Sequence, residues 1–71
     1  MTRTEVIEIA AGVAEAKGWQ WIEPASATPH VSSDGSVTWE VFSNALAVGS
    51  KVRVTISDNT GEVLSKGYIP R

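Results

Sequence analysis

Cysteine is absent from this chain of 71 residues, so neither a disulfide framework nor a thiolate metal site can supplement its core. Histidine occurs once, at His30, which excludes a multi-histidine metal site, and no cofactor is expected. Six Lys and Arg stand against eight Asp and Glu, and the six are scattered from Arg3 to Arg71 rather than gathered into a phosphate-neutralising stripe. Nucleic acid is therefore not an expected partner. Long apolar runs are missing as well: Ile9 to Ala14 is six residues, bounded by Glu8 and Glu15, too short for a signal-peptide core or a membrane span. As written, the chain is expected to be cytoplasmic, with no membrane contact. There is no glycine-rich phosphate loop, since Gly61 and Gly67 read as turn and bulge residues.

What is present is the composition of a folded domain, with 42% hydrophobic and 20% charged residues. A chain this short is close to the size below which a core alone no longer outweighs chain entropy. Without disulfides or metal, self-association is the common remaining support.

The segment Thr2-Arg3-Thr4-Glu5 has the form of a capping box, which predicts a helix start. At 100° per residue Val6, Ile9, Ala10, Val13 and Ala14 form one stripe with Ile7 on its flank, while Glu8, Gly12 and Glu15 lie opposite. Lys17 suits the negative helix end and Gly18 the position after it. Trp19-Gln20-Trp21-Ile22-Glu23 fits either a short strand or an extended connector ending at Pro24. Residues 24 to 36, with two prolines and many small polar residues, read as a long irregular segment, within which Thr28 to Ser32 allows an edge strand before an Asp34-Gly35 turn.

Strict alternation follows. Ser36 to Ser43 sets Val37, Trp39 and Val41 on one face against Thr38, Glu40 and Phe42 on the other, and Lys51 to Ser57 does the same with Val52, Val54 and Ile56. Asn44 to Ser50, which carries Leu46 and Val48, reads as a wide loop or as a strand continuing past a bulge. An Asp58-Asn59-Thr60-Gly61 turn leads into a last strand, Glu62 to Ile69, whose adjacent Val63-Leu64 and later Gly67 imply a bulge and which Pro70 ends. The order predicts an α+β fold: one N-terminal amphipathic helix packed on a three- to four-stranded antiparallel meander sheet, as a single domain over 1–71. The helix should cover Val37, Trp39, Val41, Val52, Val54 and Ile56.

Catalytic constellations are hard to find. His30, Ser32, Ser33 and Asp34 supply the residue types of a hydrolytic triad, but together on one proline-bounded loop, whereas a triad needs its members held by separate rigid elements. Glu8 and Glu15 lie about 10 Å apart along a wet helix face, and Asp58 and Glu62 are accounted for by a turn and a strand edge. The chain is not expected to be an enzyme. Binding residues are easier to name. Trp39 alternates in phase with the core, while Trp19 and Trp21 suit either a core or an exposed platform. The outer sheet face, opposite the helix, is expected to carry Glu40 and Phe42, Arg53 and Thr55, and Leu64, Lys66 and Tyr68, with Phe42, Leu64 and Tyr68 as an apolar strip flanked by charge.

The run Val52-x-Val54-x-Ile56-Ser57-Asp58-x-x-Thr60-Gly61-Glu62-Val63-Leu64, preceded by a helix and by Trp39-x-Val41, resembles the PepSY-type domain. That resemblance implies a helix on an antiparallel sheet and a non-catalytic module associated with restraint of peptidases. It transfers no site residues. The expected function is accordingly a small protein-binding module, inhibitory or regulatory, that contacts a protein partner or a second copy through the outer sheet face and the loop of residues 24–35. The alternatives are a small-ligand-binding protein with a pocket between helix and sheet lined by Trp19, Trp21 and Trp39, or a purely structural homodimer.

Overall fold

A computed structural model of the chain describes residues 1–46 and 49–69. Val48, read as part of the loop, and the Pro70 stop lie outside them. The helix α1 runs Arg3–Lys17, and both halves of the capping box form: Glu5 N–H donates to Thr2 Oγ1 at 3.2 Å, and Thr2 N–H donates to Glu5 Oε1 at 2.8 Å. It ends at Gly18, whose φ of 73° is left-handed, a conformation that costs glycine little. Val6, Ala10 and Ala14 are its fully buried residues. Two of the three are alanine, so the helix backbone can lie close to the sheet.

Four strands follow, β1 (Ser26–Val31), β2 (Val37–Phe42), β3 (Lys51–Ser57) and β4 (Val63–Ile69), paired antiparallel in chain order as a meander. The predicted fold class is the observed one, with the fourth strand realised. Trp19 to Glu23 is a connector rather than a strand. Within residues 24–36, read as a long irregular segment that allows an edge strand over Thr28 to Ser32, an edge strand does form, two residues earlier and one residue longer: β1 pairs with β2 from Ser26↔Phe42 to Val31↔Val37. Its low β propensity yields to the ladder that β2 offers it. Past β2, Asn44 and Ala45 are tied to the connector by Asn44 N–H to Ile22 O at 2.6 Å and Ala45 N–H to Pro24 O at 2.9 Å.

One face of the sheet meets the helix. Val41, Val52, Val54 and Ile56 are fully buried there with Ala27, which pairs with Val41 across β1 and β2. An α-helix with side chains is about 10 Å wide, roughly two strand spacings, so one helix cannot cover four strands. Accordingly α1 packs across β1, β2 and β3 and scarcely reaches β4. Trp19, just past the helix, completes the cover by stacking on Tyr68 of β4, with ring centroids 5.9 Å apart and planes 19° apart.

That stack corrects the expected face of β4. Thr55 pairs with Ser65 but Ile56 pairs with Val63, so Leu64 is an extra, unpaired residue at a β-bulge. One added residue exchanges the two faces of everything beyond it. Lys66 lies opposite Val54 and Tyr68 opposite Val52, both on the helix side, and the outer face receives Ser65, Gly67 and Ile69 instead. The strip of Phe42, Leu64 and Tyr68 therefore does not form.

Candidate functional site

The outer face is built by the period-2 geometry of β2 and β3, which turns Thr38, Glu40, Phe42, Arg53 and Thr55 away from the helix. Phe42 is the Cα partner of Arg53 and Glu40 that of Thr55, so these four candidates form a contiguous block. Phe42, Glu40 and Thr55 are half-buried and Arg53 is exposed. On β4, Gly67 is the partner of Arg53, and nothing lies within 4 Å of where a Cβ would project from it, which leaves an open lane beside the guanidinium stem. On β1, His30 Nε2 lies 3.7 Å from Glu40 Oε1, an ion pair when the imidazole is protonated. No described residue forms a salt bridge with Arg53.

The face is graded along the strands. At the end where β2 finishes and β3 starts, Ser26, Phe42, Ala45 and Lys51 line an open cleft of about 280 Å³. The Lys51 ammonium donates to the Asn44 carbonyl there, and Leu46 stands 85% exposed on the adjoining loop. Exposed Ile69 is the partner of Lys51. At the opposite end, polar residues from the β1–β2 and β3–β4 turns, Asp34, Ser36, Ser57, Asp58 and Asn59, line a second cleft of about 380 Å³ with Gly35 and Val37. The first end is apolar and basic, the second acidic.

The two carboxylates of the acidic end are already engaged. Asp34 Oδ1 accepts from Ser36 N–H at 3.0 Å and from its hydroxyl at 2.7 Å, and these bonds hold the Asp34 carboxyl below the usual carboxylate range. Asp58 Oδ1 accepts from the Met1 ammonium at 2.8 Å and from Trp39 Nε1 at 2.7 Å, which lowers the Asp58 carboxyl while the same contact raises the ammonium. Asp58 is therefore more than the turn residue it was expected to be. A half-buried indole N–H needs an acceptor, and that requirement was the signal in the sequence for a partner of Trp39. Which residue met it depended on pairing Val37 with Asp58 across the sheet.

His30, Ser32, Ser33 and Asp34 do not assemble, since the imidazole faces Glu40 and the Asp34 carboxylate is taken by Ser36. The three tryptophans do not gather around one cavity either. Trp19 stacks on Tyr68, opposite Val52, whereas Trp39 pairs with Ile56, four residues and about 13 Å further along β3. Trp21 Nε1 donates to Glu23 at 3.2 Å. Leu64, at the bulge, is 51% exposed, and Lys66 is exposed on the helix side. Among the described residues no three His, Cys, Asp or Glu converge as metal ligands, and no helix is long and apolar enough to cross a membrane. Set against protein-family models, curated proteins and solved structures, the chain matches none of them.

Proposed function

We propose that this domain is a non-catalytic protein-binding module whose contact surface is the outer sheet face, centred on Phe42 and Arg53 and extending through the neighbouring cleft to Leu46. The observation that carries it is the pairing of a half-buried aromatic ring with an exposed arginine that has no ion-pair partner among the described residues, on a sheet face that no described element covers. Aromatic and arginine side chains are the ones that most often dominate interface energetics. The partner chemistry that fits is an acidic segment carrying one or two apolar side chains: a carboxylate for Arg53, and an apolar group for the Phe42 and Ala45 walls of the cleft. The resemblance of the β3–β4 hairpin to PepSY-type domains is what directs the proposal toward restraint of the partner, an inhibitory or regulatory role.

The test is affinity capture from an extract of the source cells with wild type, Phe42→Ala, Arg53→Glu and, as an exposed control on the edge strand, Val31→Ala. A partner held by wild type and control and lost by both outer-face variants is the expected result. Retention of every captured protein by Phe42→Ala and Arg53→Glu overturns the proposal.

A further inference from the structure

The two edges of the sheet are not equivalent, and the difference follows from which main-chain groups each edge strand turns outward. In an antiparallel pair, residues alternate between turning N–H and C=O toward the partner strand and away from it. Ser32 N–H donates to Ser36 O, so the residues of β1 in phase with it, Ser26, Thr28 and His30, face β2. Ala27, Pro29 and Val31 face outward. Pro29 has no N–H, so this edge carries a gap at its centre, the usual guard of a natural edge strand.

At the other edge no proline intervenes between Val63 and Ile69. Ser57 N–H donates to Glu62 O, so the odd residues of β3 face β4, and their partners Ser65, Gly67 and Ile69 use their main chain within the sheet. Lys66 and Tyr68 therefore turn both N–H and C=O to the open edge. Among the described residues, no bond from outside the sheet reaches them.

We infer that this edge pairs with a second copy of itself, β4 against β4 in antiparallel two-fold register centred on Gly67, to make a continuous eight-stranded sheet. The chain's own residues select both the partner and the register. A two-fold pairing centred on Lys66 opposes two ammonium groups. One centred on Tyr68 leaves Lys66 with no opposite residue within β4, Val63–Ile69, so a single pair remains to exchange main-chain hydrogen bonds. Centred on Gly67, Lys66 lies opposite Tyr68 of the second copy, and each of the two symmetry-related pairs exchanges two main-chain hydrogen bonds. Gly67 then meets Gly67 at the axis, where its outer side is open. On the helix side, each Lys66 ammonium comes against a tyrosine ring already fixed by Trp19, a favourable cation–π arrangement. Such pairing also meets the need of a small, disulfide-free domain for further burial.

Amide hydrogen exchange on the isotopically labelled full chain reads the edge directly, at about 20 µM and about 1 mM, concentrations that bracket a weak self-association. The expected result is a shift of the mass in solution from 7.6 kDa toward its double as concentration rises, with Lys66 and Tyr68 amides becoming protected in parallel. Lys66→Pro removes an N–H that β3 does not use, as Pro29 does on the other edge, and is expected to keep the monomer spectrum while abolishing the concentration dependence. Arg53→Ala, on the outer face, should leave the self-association unchanged. The inference is overturned if the chain stays monomeric at the higher concentration. It is equally overturned if a dimer forms while the Lys66 and Tyr68 amides exchange freely, or if they are protected only by another protein. The exchange of the wild-type amides decides the matter even if the proline variant does not fold.

Discussion

The two faces of β2 and β3 are drawn from the same residues in alternation and end with opposite roles. Val41, Val52, Val54 and Ile56 are sealed against α1, while Thr38, Glu40, Phe42, Arg53 and Thr55 form an open surface a side chain away. The strands themselves carry the pattern, but the helix gives it meaning, because burial of one face is what makes the other face available for contact. At β4 the comparison fails. There the helix no longer reaches, the bulge at Leu64 exchanges the faces, and one side is finished by an aromatic stack instead of aliphatic packing.

The sharpest way to break the contrast is to place the same charge on each face. Val54→Asp buries an unpaired carboxylate and should leave the domain unfolded, whereas Arg53→Asp, its neighbour on the open side, should move stability by no more than about 0.5 kcal/mol. Far-UV circular dichroism with urea titration distinguishes them. Next in size, Ile56→Ala should cost about 2–5 kcal/mol, a large part of the roughly 4–11 kcal/mol available to a domain of this length, and should lower the urea midpoint without altering the outer face. Thr2→Ala removes the cap acceptor for Glu5 N–H and should cost about 1 kcal/mol in the same titration.

The smallest effect concerns the acidic end of the sheet. The folded-state value of Asp58 lies below its ordinary 3.8, so its contribution is present above that pH and is lost as pH falls through the folded value. Wild type should therefore lose slightly more stability than Asp58→Asn between about pH 5 and pH 2, measured as urea midpoints across that range. Equal losses would show that the bonds from Trp39 and the ammonium contribute nothing at that exposed carboxylate. Because the paired ammonium is raised above its ordinary 8.0, its own share is present below that value and fades as pH rises past it.

Much of the architecture was legible in the residues. The capping box, the stripe on α1 and the alternation in β2 and β3 each state a local preference that the fold leaves intact, and they place four of the seven candidate residues, Glu40, Phe42, Arg53 and Thr55, together on the outer face. Lys66 and Tyr68 were assigned to that face by continuing the alternation from Val63. The assignment missed because a bulge is visible in sequence as a blurred pattern, while the residue it inserts is decided by the ladder. The strand β1 was nearly hidden, since Pro29 and small polar residues look like a loop until β2 offers hydrogen bonds to every second residue.

The sequence by itself determined α1, β2, β3 and the turn into β4, and the face that α1 would take, because helix caps, period-3.6 and period-2 patterns act over a few residues. Only the tertiary structure decided which way β4 turns, that Trp39 and Asp58 meet, and that Trp19 rather than the helix covers Tyr68. Those contacts join residues far apart in the chain. They are set by pairing register and by the width of one helix over four strands, neither of which any short run of residues contains.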